Sequence, residues 1–211
     1  MPDDITPLTL QTSDGLALEA ELRTPADPVG AVVLAHPHPA QGGSMRSLVT
    51  SELFRTLPDK GLTVLRFNFR GVEGSEGEHG GGTAEHADVV AAIDALAAVG
   101  TTPLVLAGWS FGADVSLSVL DDRLAGWFLI ASPLRILPLE AMVVATDPRP
   151  KFFAIPENDQ FRKPDAVRSM TADWTSTTVE MVPGGDHFLV GRTAKVADWL
   201  ADFVRSVAPA A

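Results

Sequence analysis

The pentapeptide GWSFG at residues 108–112 decides how the rest of this sequence is interpreted. The apolar run PLVLA at residues 103–107 precedes it, and a segment with helical character, residues 113–120, follows it. This order predicts a strand, a sharp turn that carries Ser110, and a helix. Gly108 and Gly112 fit such a turn because strained backbone leaves little room beside the serine. The alternative is a glycine-bounded turn around an ordinary serine. The flanking segments favour a nucleophile elbow, in which the serine hydroxyl stands exposed at the carboxyl end of a sheet.

The composition favours one compact α/β domain that spans residues 1–211. The chain has 211 residues, of which 45% are hydrophobic, and this is enough for a sizeable core. No repeat or linker divides it. The net charge of -11 argues against nucleic acid as a partner, since an acidic surface repels phosphate backbones. The absence of cysteine excludes disulfides, thiolate metal sites and a cysteine nucleophile.

The sequence shows no targeting or membrane segment. Residues 1–4 (MPDD) lack the basic region and apolar core of a signal peptide. No apolar stretch is long enough to cross a bilayer. We therefore expect a cytoplasmic protein that does not associate with membranes.

Strand-like and helix-like segments alternate along the chain, which predicts a doubly wound, mainly parallel sheet with helices on both faces. The sequence SDG joins two alternating segments into a predicted β-hairpin, at residues 8–12 and 16–22. Further strands are predicted at residues 31–35, 62–69, 103–107, 124–131, 151–155 and 177–182. Helices are predicted at residues 44–60, with Ser44 as a cap, and at 85–99, 113–120, 139–144, 164–170 and 193–207.

Ser110, Asp159 and His187 each come just after a predicted strand. Reactive loops of parallel sheets lie beyond the carboxyl ends of the strands, so these side chains are expected to meet. A serine hydroxyl needs a base within hydrogen-bond reach, and that base needs an orienting partner. The sequence therefore predicts Ser110 as nucleophile and His187 as general base and then acid. Asp159 would fix the tautomer of the histidine and stabilise the imidazolium.

Other acids and histidines compete for these roles. Glu157 is the rival to Asp159, which could itself be an ordinary turn residue. Asp186 is next to the histidine of the predicted triad, and its side chain is expected to point elsewhere. His79 and His86 follow no strand, so we interpret them as loop and helix-start residues.

The sequence HPHP at residues 36–39 follows a predicted buried strand. The backbone N–H of His38 is predicted as an oxyanion donor, because Pro37 and Pro39 have none to offer. The N–H of Phe111, at the start of the elbow helix, is the other predicted donor. The imidazole of His36 is expected to hold the loop by hydrogen bonding. The alternatives are a proline-stiffened surface loop and a metal site, and no cysteine or nearby carboxylate supports the metal site. We expect no metal and no cofactor.

A glycine-rich loop spans residues 70–82. Phosphate binding there is disfavoured, since the loop lacks the Walker A pattern and Glu73, Glu76 and Glu78 would repel an anion. Arg70 is expected to pin the loop through carbonyl or carboxylate contacts.

Aromatic side chains near the elbow are candidates for an acyl pocket, although most aromatic residues in such a chain belong to the core. Trp109, Phe161 and Phe188 are the predicted substrate-binding residues. Phe69, Phe111 and residues 134–139 are further candidates for its wall.

Six motifs together resemble the small α/β-hydrolases, close to the dienelactone-hydrolase-like and short serine-esterase branches. They are HPHP at 36–39, GGSM at 42–45, FNFRG at 67–71 with GSEG at 74–77, GWSFG at 108–112, and GDHF at 185–188. The resemblance covers nearly the whole chain, and the order serine, acid, histidine agrees with it. It implies about eight strands with an antiparallel second strand. It also implies that His38 and Phe111 form the oxyanion hole.

Two departures from this pattern stand out. Dienelactone hydrolases are similar but use cysteine where this chain has Ser110. Many relatives insert a helical cap at the position of residues 132–150, which are too few for more than a remnant, so a minimal cap or none is expected.

The resulting hypothesis is a serine hydrolase that cleaves an ester or related acyl compound through an acyl-enzyme. Its partner would be a small-molecule substrate with a small or flexible acyl group. Acyl transfer to another acceptor and peptidase action are alternatives, as is a non-catalytic binding protein on the same fold. The sequence indicates no particular oligomeric state.

Overall fold

A single eight-stranded sheet runs through the computed structural model, which describes residues 5–208. Its strand order is β1-β2-β4-β3-β5-β6-β7-β8. β2 is antiparallel to both of its neighbours, and all pairs from β4 to β8 are parallel. The strands are β1 (Thr6–Gln11), β2 (Ala17–Arg23), β3 (Gly30–Ala35), β4 (Leu62–Phe67), β5 (Leu104–Trp109), β6 (Leu124–Ile130), β7 (Lys151–Pro156) and β8 (Thr177–Val182). The predicted mainly parallel sheet with an antiparallel second strand is confirmed.

Five α-helices cover the two faces of the sheet within the described residues. They are α1 (Leu48–Thr56), α2 (Glu85–Ala97), α3 (Phe111–Ser116), α4 (Pro164–Met170) and α5 (Thr193–Ser206). α1 and α5 pack into one core cluster, and α2, α3 and α4 pack into the other. The central strands β3, β4 and β5 are buried along their whole length. Burial on both faces explains why these strands have continuous apolar runs rather than alternating ones.

The bounds of α1 and α3 differ from the predicted ones, and each difference has a local cause. α1 begins at Leu48, with Ser47 rather than Ser44 at its N-cap, and Pro58 starts a separate 3-10 turn after it. The elbow helix α3 ends at Ser116, although helical character continues to residue 120. The hydroxyl groups of Ser116 and Ser118 donate to backbone carbonyls of the helix, at 2.6 and 2.8 Å. Such bonds compete with helix continuation.

Residues 132–150, between β6 and β7, contain no α-helix. Two 3-10 turns, Leu139–Ala141 and Val143–Thr146, take the place of the single helix predicted at 139–144. The segment therefore builds no helical cap over the sheet, as expected.

Asp114, on α3, fixes the start of this segment and was not singled out by the sequence. Its buried carboxylate accepts the hydroxyl of Ser132 at 2.6 Å. It also accepts three consecutive backbone N–H groups, those of Leu134, Arg135 and Ile136, at 3.1, 2.8 and 2.9 Å. Burial raises the pKa of this carboxyl group, and the four hydrogen bonds oppose that shift. One side chain thus joins the elbow helix to the loop after β6.

None of the helices between residues 5 and 208 is both long and apolar enough to cross a bilayer. Residues 1–4, on which the expectation about a signal peptide rests, lie outside the described residues.

Candidate active site

Ser110 lies at the sharp junction between β5 and α3. Its backbone has φ 56° and ψ −114°, a strained conformation for a residue with a side chain. A Cβ atom at Gly108 would lie 2.4 Å from the carbonyl carbon of Gly112. A Cβ atom at Gly112 would lie 2.5 Å from the carbonyl oxygen of Ala35. Only glycine fits at either position, which explains the spacing that the sequence shows.

The structure brings Ser110, His187 and Asp159 into one hydrogen-bonded series. His187 Nε2 lies 2.9 Å from Ser110 Oγ, and His187 Nδ1 lies 2.8 Å from Asp159 Oδ2. The three residues follow β5, β8 and β7, so the carboxyl ends of separate strands supply them. Because a carboxylate only accepts, Nδ1 carries the proton, and Nε2 is left to accept from the serine hydroxyl. His187 and Asp159 are 4% and 2% exposed, which shields their contact from solvent.

Neighbouring groups fix both the histidine and the aspartate. Asp159 Oδ1 accepts the N–H groups of Phe161 and Arg162 at 2.7 and 3.1 Å. The backbone N–H of His187 donates to Gln160 Oε1 at 3.1 Å, and its carbonyl accepts from Trp109 Nε1 at 3.1 Å. Gln160 had no signal in the sequence, because nothing local shows that its side chain reaches the loop after β8.

The rival residues are engaged elsewhere. Glu157 Oε2 accepts the N–H of Gly184 at 2.7 Å, and Asp186 Oδ1 accepts the N–H of Phe188 at 3.1 Å. His86 lies exposed on α2. Of the candidate acids, Asp159 is the one that reaches the imidazole.

The N–H groups of His38 and Phe111 meet no acceptor within residues 5–208. Phe111 is the first residue of α3, where an N–H has no partner inside the helix. His38 precedes a 3-10 turn, Pro39–Gln41. Gly43 closes this turn so tightly that a Cβ atom there would lie 2.3 Å from the carbonyl oxygen of Pro37. Both predicted donors are therefore available for an oxygen of a ligand.

His36 holds this loop through both ring nitrogens. Its Nδ1 lies 2.6 Å from the carbonyl oxygen of Pro37, and its Nε2 accepts the N–H of Phe69 at 3.0 Å. Neither nitrogen is free to bind a metal, so the alternative of a metal site loses its first ligand. The imidazole is fully buried, and burial lowers its pKa from 6.5 to about 4.

This buried imidazole makes stability depend on pH. Below pH 6.5 the unfolded chain binds a proton that the folded chain refuses until pH approaches about 4. The free energy of unfolding should therefore decrease as the pH is lowered from about 6.5 to about 4, and His36 should account for up to about 3 kcal/mol of this decrease. The free energy of unfolding can be measured with urea at several pH values from about 7.5 to about 4.5. It should depend less steeply on pH in His36→Asn than in the wild type. The exposed-site control His86→Asn should keep the wild-type slope; equal slopes for all three proteins would contradict the assignment.

A cleft of about 250 Å³ opens beside Ser110 and His187. Trp109, Phe161 and Phe188, the three residues predicted to bind substrate, line it. The opposite wall comes from the loop after β3 and the start of α1: Pro37, His38, Gln41, Gly42, Gly43, Ser47 and Leu48.

The wider acyl pocket considered from the sequence is not formed. Phe69 and Phe111 are completely buried in the core, and residues 134–139 do not line the cleft. Leu48 was missed because it looks like an ordinary helix residue. Its exposure, 47%, becomes visible only once the start of α1 is placed at the cleft.

Comparison with known proteins supports the resemblance to the α/β-hydrolases. An alpha/beta hydrolase domain model matches residues 28–208. The chain is similar to the lidless serine hydrolase XC6422 of Xanthomonas campestris, with 28% identity, a TM-score of 0.84, and coverage of 100% and 98% of the two chains. It is also similar to an alpha-beta serine hydrolase homologue from Coxiella burnetii, with 26% identity, a TM-score of 0.80, and coverage of 93% and 96%.

A further relative is the uncharacterized protein RP471 of Rickettsia prowazekii (strain Madrid E). It is 28% identical over 199 residues, which cover 89% of this chain and 83% of the relative. The family model matches most of the sequence, and the matched range includes the loops that carry Ser110, Asp159 and His187. The chain belongs to the alpha/beta hydrolase domain family.

Proposed function

We propose that this protein is a carboxylesterase-like serine hydrolase that cleaves an ester or related acyl bond through Ser110, His187 and Asp159. The observation that carries the proposal is the hydrogen-bonded series from Asp159 Oδ2 through the imidazole to Ser110 Oγ. The similarity to lidless serine hydrolases supports it.

In the acylation step, Ser110 Oγ attacks the carbonyl carbon while His187 Nε2 takes the hydroxyl proton. Asp159 keeps Nδ1 protonated and stabilises the imidazolium that forms. The carbonyl oxygen becomes an oxyanion and binds to the N–H groups of His38 and Phe111. The imidazolium then protonates the departing alcohol, which leaves Ser110 acylated.

In the deacylation step, His187 takes a proton from a water molecule, and the resulting hydroxide attacks the acyl carbon. The same two N–H groups bind the second oxyanion. Ser110 Oγ leaves and recovers its proton from the histidine, and the carboxylic acid is released. Protein groups and water supply every step, so the proposed reaction uses no metal or cofactor.

The shape of the cleft supports a small or flexible acyl group as the substrate class. Trp109, Phe161 and Phe188 give it an apolar wall, and its volume of about 250 Å³ suits a small molecule. Phe161 and Phe188 are 37% and 48% exposed, so both rings have free apolar surface that a bound acyl group can pack against.

The identity of the acid can be tested separately. Asp159→Asn should lower kcat by about 10³- to 10⁴-fold, because an amide cannot hold the productive tautomer of the histidine. The matched variant Glu157→Gln should stay within about 3-fold of wild type, since that carboxylate contacts Gly184 instead. Steady-state kinetics with a short-chain nitrophenyl ester make the comparison. The reverse ranking would assign the role to Glu157.

Labelling with a fluorophosphonate, followed by intact-mass measurement and peptide mapping, tests the proposed function directly. We expect one adduct, on Ser110, and its loss in His187→Ala. If a well-folded sample gives no adduct, the serine is not activated, and a non-catalytic binding protein becomes the better description. An adduct together with acyl transfer to an added alcohol in preference to water would indicate an acyltransferase.

A further inference from the structure

The glycine-rich segment 70–82 is held in place by carboxylates of α2. Arg70 Nη2 donates to Asp88 Oδ1 at 2.7 Å, and Asp88 Oδ2 accepts the backbone N–H of Arg70 at 2.9 Å. This is the kind of contact predicted for Arg70. At the other end, Glu85 accepts the N–H groups of Gly80 and Gly82, both at 2.7 Å. A loop rich in glycine is therefore fixed rather than free.

His79 lies within the part of the loop that Glu85 holds. Its Nδ1 lies 2.6 Å from Glu85 Oε1, so the ring sits directly against the carboxylate that holds the loop. Glu85 is completely buried, while the His79 side chain is 26% exposed. His79 is absent from the lining of the cleft and does not reach the position of a substrate.

The His79 ring packs against the side chains of both proposed oxyanion donors. Its centroid lies 5.2 Å from that of His38 and 5.3 Å from that of Phe111. The rings of His38 and Phe111 are themselves 5.0 Å apart, so the three form one cluster. His38 Nδ1 is buried and has no hydrogen-bond partner among the described residues. Packing, rather than a hydrogen bond at that atom, therefore holds the His38 ring.

We propose that His79 is a positioning residue for the oxyanion hole, an inference that rests on the proposed function. The two N–H groups come from separate segments, the loop after β3 and the start of α3. Their relative position must be accurate to a fraction of an ångström, since a displacement of about 1 Å can cost about 100-fold in rate. A single ring in contact with both side chains sets that separation, and Glu85 sets the place of the ring.

Three substitutions of His79 separate the effect of the ring from that of its polar atoms. His79→Ala removes the ring and should lower kcat for a short-chain ester by about 10- to 100-fold, with KM within about 3-fold. His79→Phe keeps a ring and should restore kcat to within about 3-fold of wild type. His79→Gln keeps a polar group beside Glu85 but no ring, and should behave like His79→Ala. The matched control is His86→Ala, an exposed histidine on α2, which should leave kcat and KM unchanged.

The midpoint of thermal unfolding is measured for every variant. If His79→Ala does not fold, the comparison of His79→Phe with His79→Gln decides. High activity in His79→Gln and low activity in His79→Phe would overturn the proposal, as would a kcat in His79→Ala equal to that of His86→Ala. Failure of the proposed function looks different: the wild type would then show neither hydrolysis nor a fluorophosphonate adduct. A wild type that is active and labelled, with variants that all match it, would overturn only the role of His79.

Discussion

Ser110→Ala is expected to lower kcat for ester hydrolysis by at least about 10⁴-fold while the fold is retained. The variant removes the atom that attacks the acyl carbon, and no other hydroxyl takes its place at 2.9 Å from His187 Nε2 in the described structure. Alanine tolerates the positive φ of this position about as poorly as serine does, so the strain of the elbow is hardly changed. Steady-state kinetics and circular dichroism of the same sample make the measurement.

Residues that act as one unit do not contribute additively. The double variant Ser110→Ala with His187→Ala should therefore be no slower than the slower single variant. Ser118→Ala is the matched control, because its hydroxyl contacts the Val115 carbonyl and the exposed His86 ring rather than His187, and kcat should stay within about 2-fold. Retained turnover in Ser110→Ala, or a double variant slower by the product of the two single effects, would contradict a shared catalytic role.

Asp114→Ala should have the largest effect on stability, lowering the free energy of unfolding by about 3 kcal/mol or more. The substitution leaves three backbone N–H groups and the hydroxyl of Ser132 without their acceptor in a buried region. Each buried donor without a partner costs about 1–3 kcal/mol, and local rearrangement recovers only part of this. Urea unfolding measured by fluorescence gives the value.

Ser132→Ala is the matched control for this prediction. It removes one of the four donors and should cost about 1 kcal/mol. Asp114→Asn should fall between the two variants, because its amide has one acceptor oxygen and its NH₂ group faces donors. If Asp114→Ala were no less stable than Ser132→Ala, the carboxylate would not be what holds the loop after β6.

The elbow and the order of the predicted triad could be read from the sequence because their signals are local. At Gly108 and Gly112 the backbone packs so closely that only glycine fits. The two glycines therefore stand at a fixed spacing around the serine in the sequence. Asp159 and His187 could be nominated because the ends of parallel strands meet at one edge of the sheet. The sequence alone separates Asp159 from Glu157 poorly, since two neighbouring acids on one loop differ only in the direction of their side chains.

Residues whose role depends on long-range contacts gave no such signal. Asp114 meets a loop that begins 18 residues later, and Gln160 reaches a backbone N–H 27 residues away. His79 looked like a plain loop residue, because its neighbours His38 and Phe111 lie on other segments. Phe69 is a candidate for the pocket wall in the sequence, but packing against Phe67 and Phe111 buries it.

The short segment after β6, which contains no α-helix, has a kinetic consequence. Because residues 132–150 build no α-helical cap, the proposed reaction needs no closing of that segment before chemistry and no opening of it before product departs. The rate should then follow the intrinsic reactivity of the bond being broken, rising as the departing alcohol becomes more acidic. Added viscosity should then leave kcat unchanged and lower kcat/KM only where kcat/KM approaches the diffusion limit.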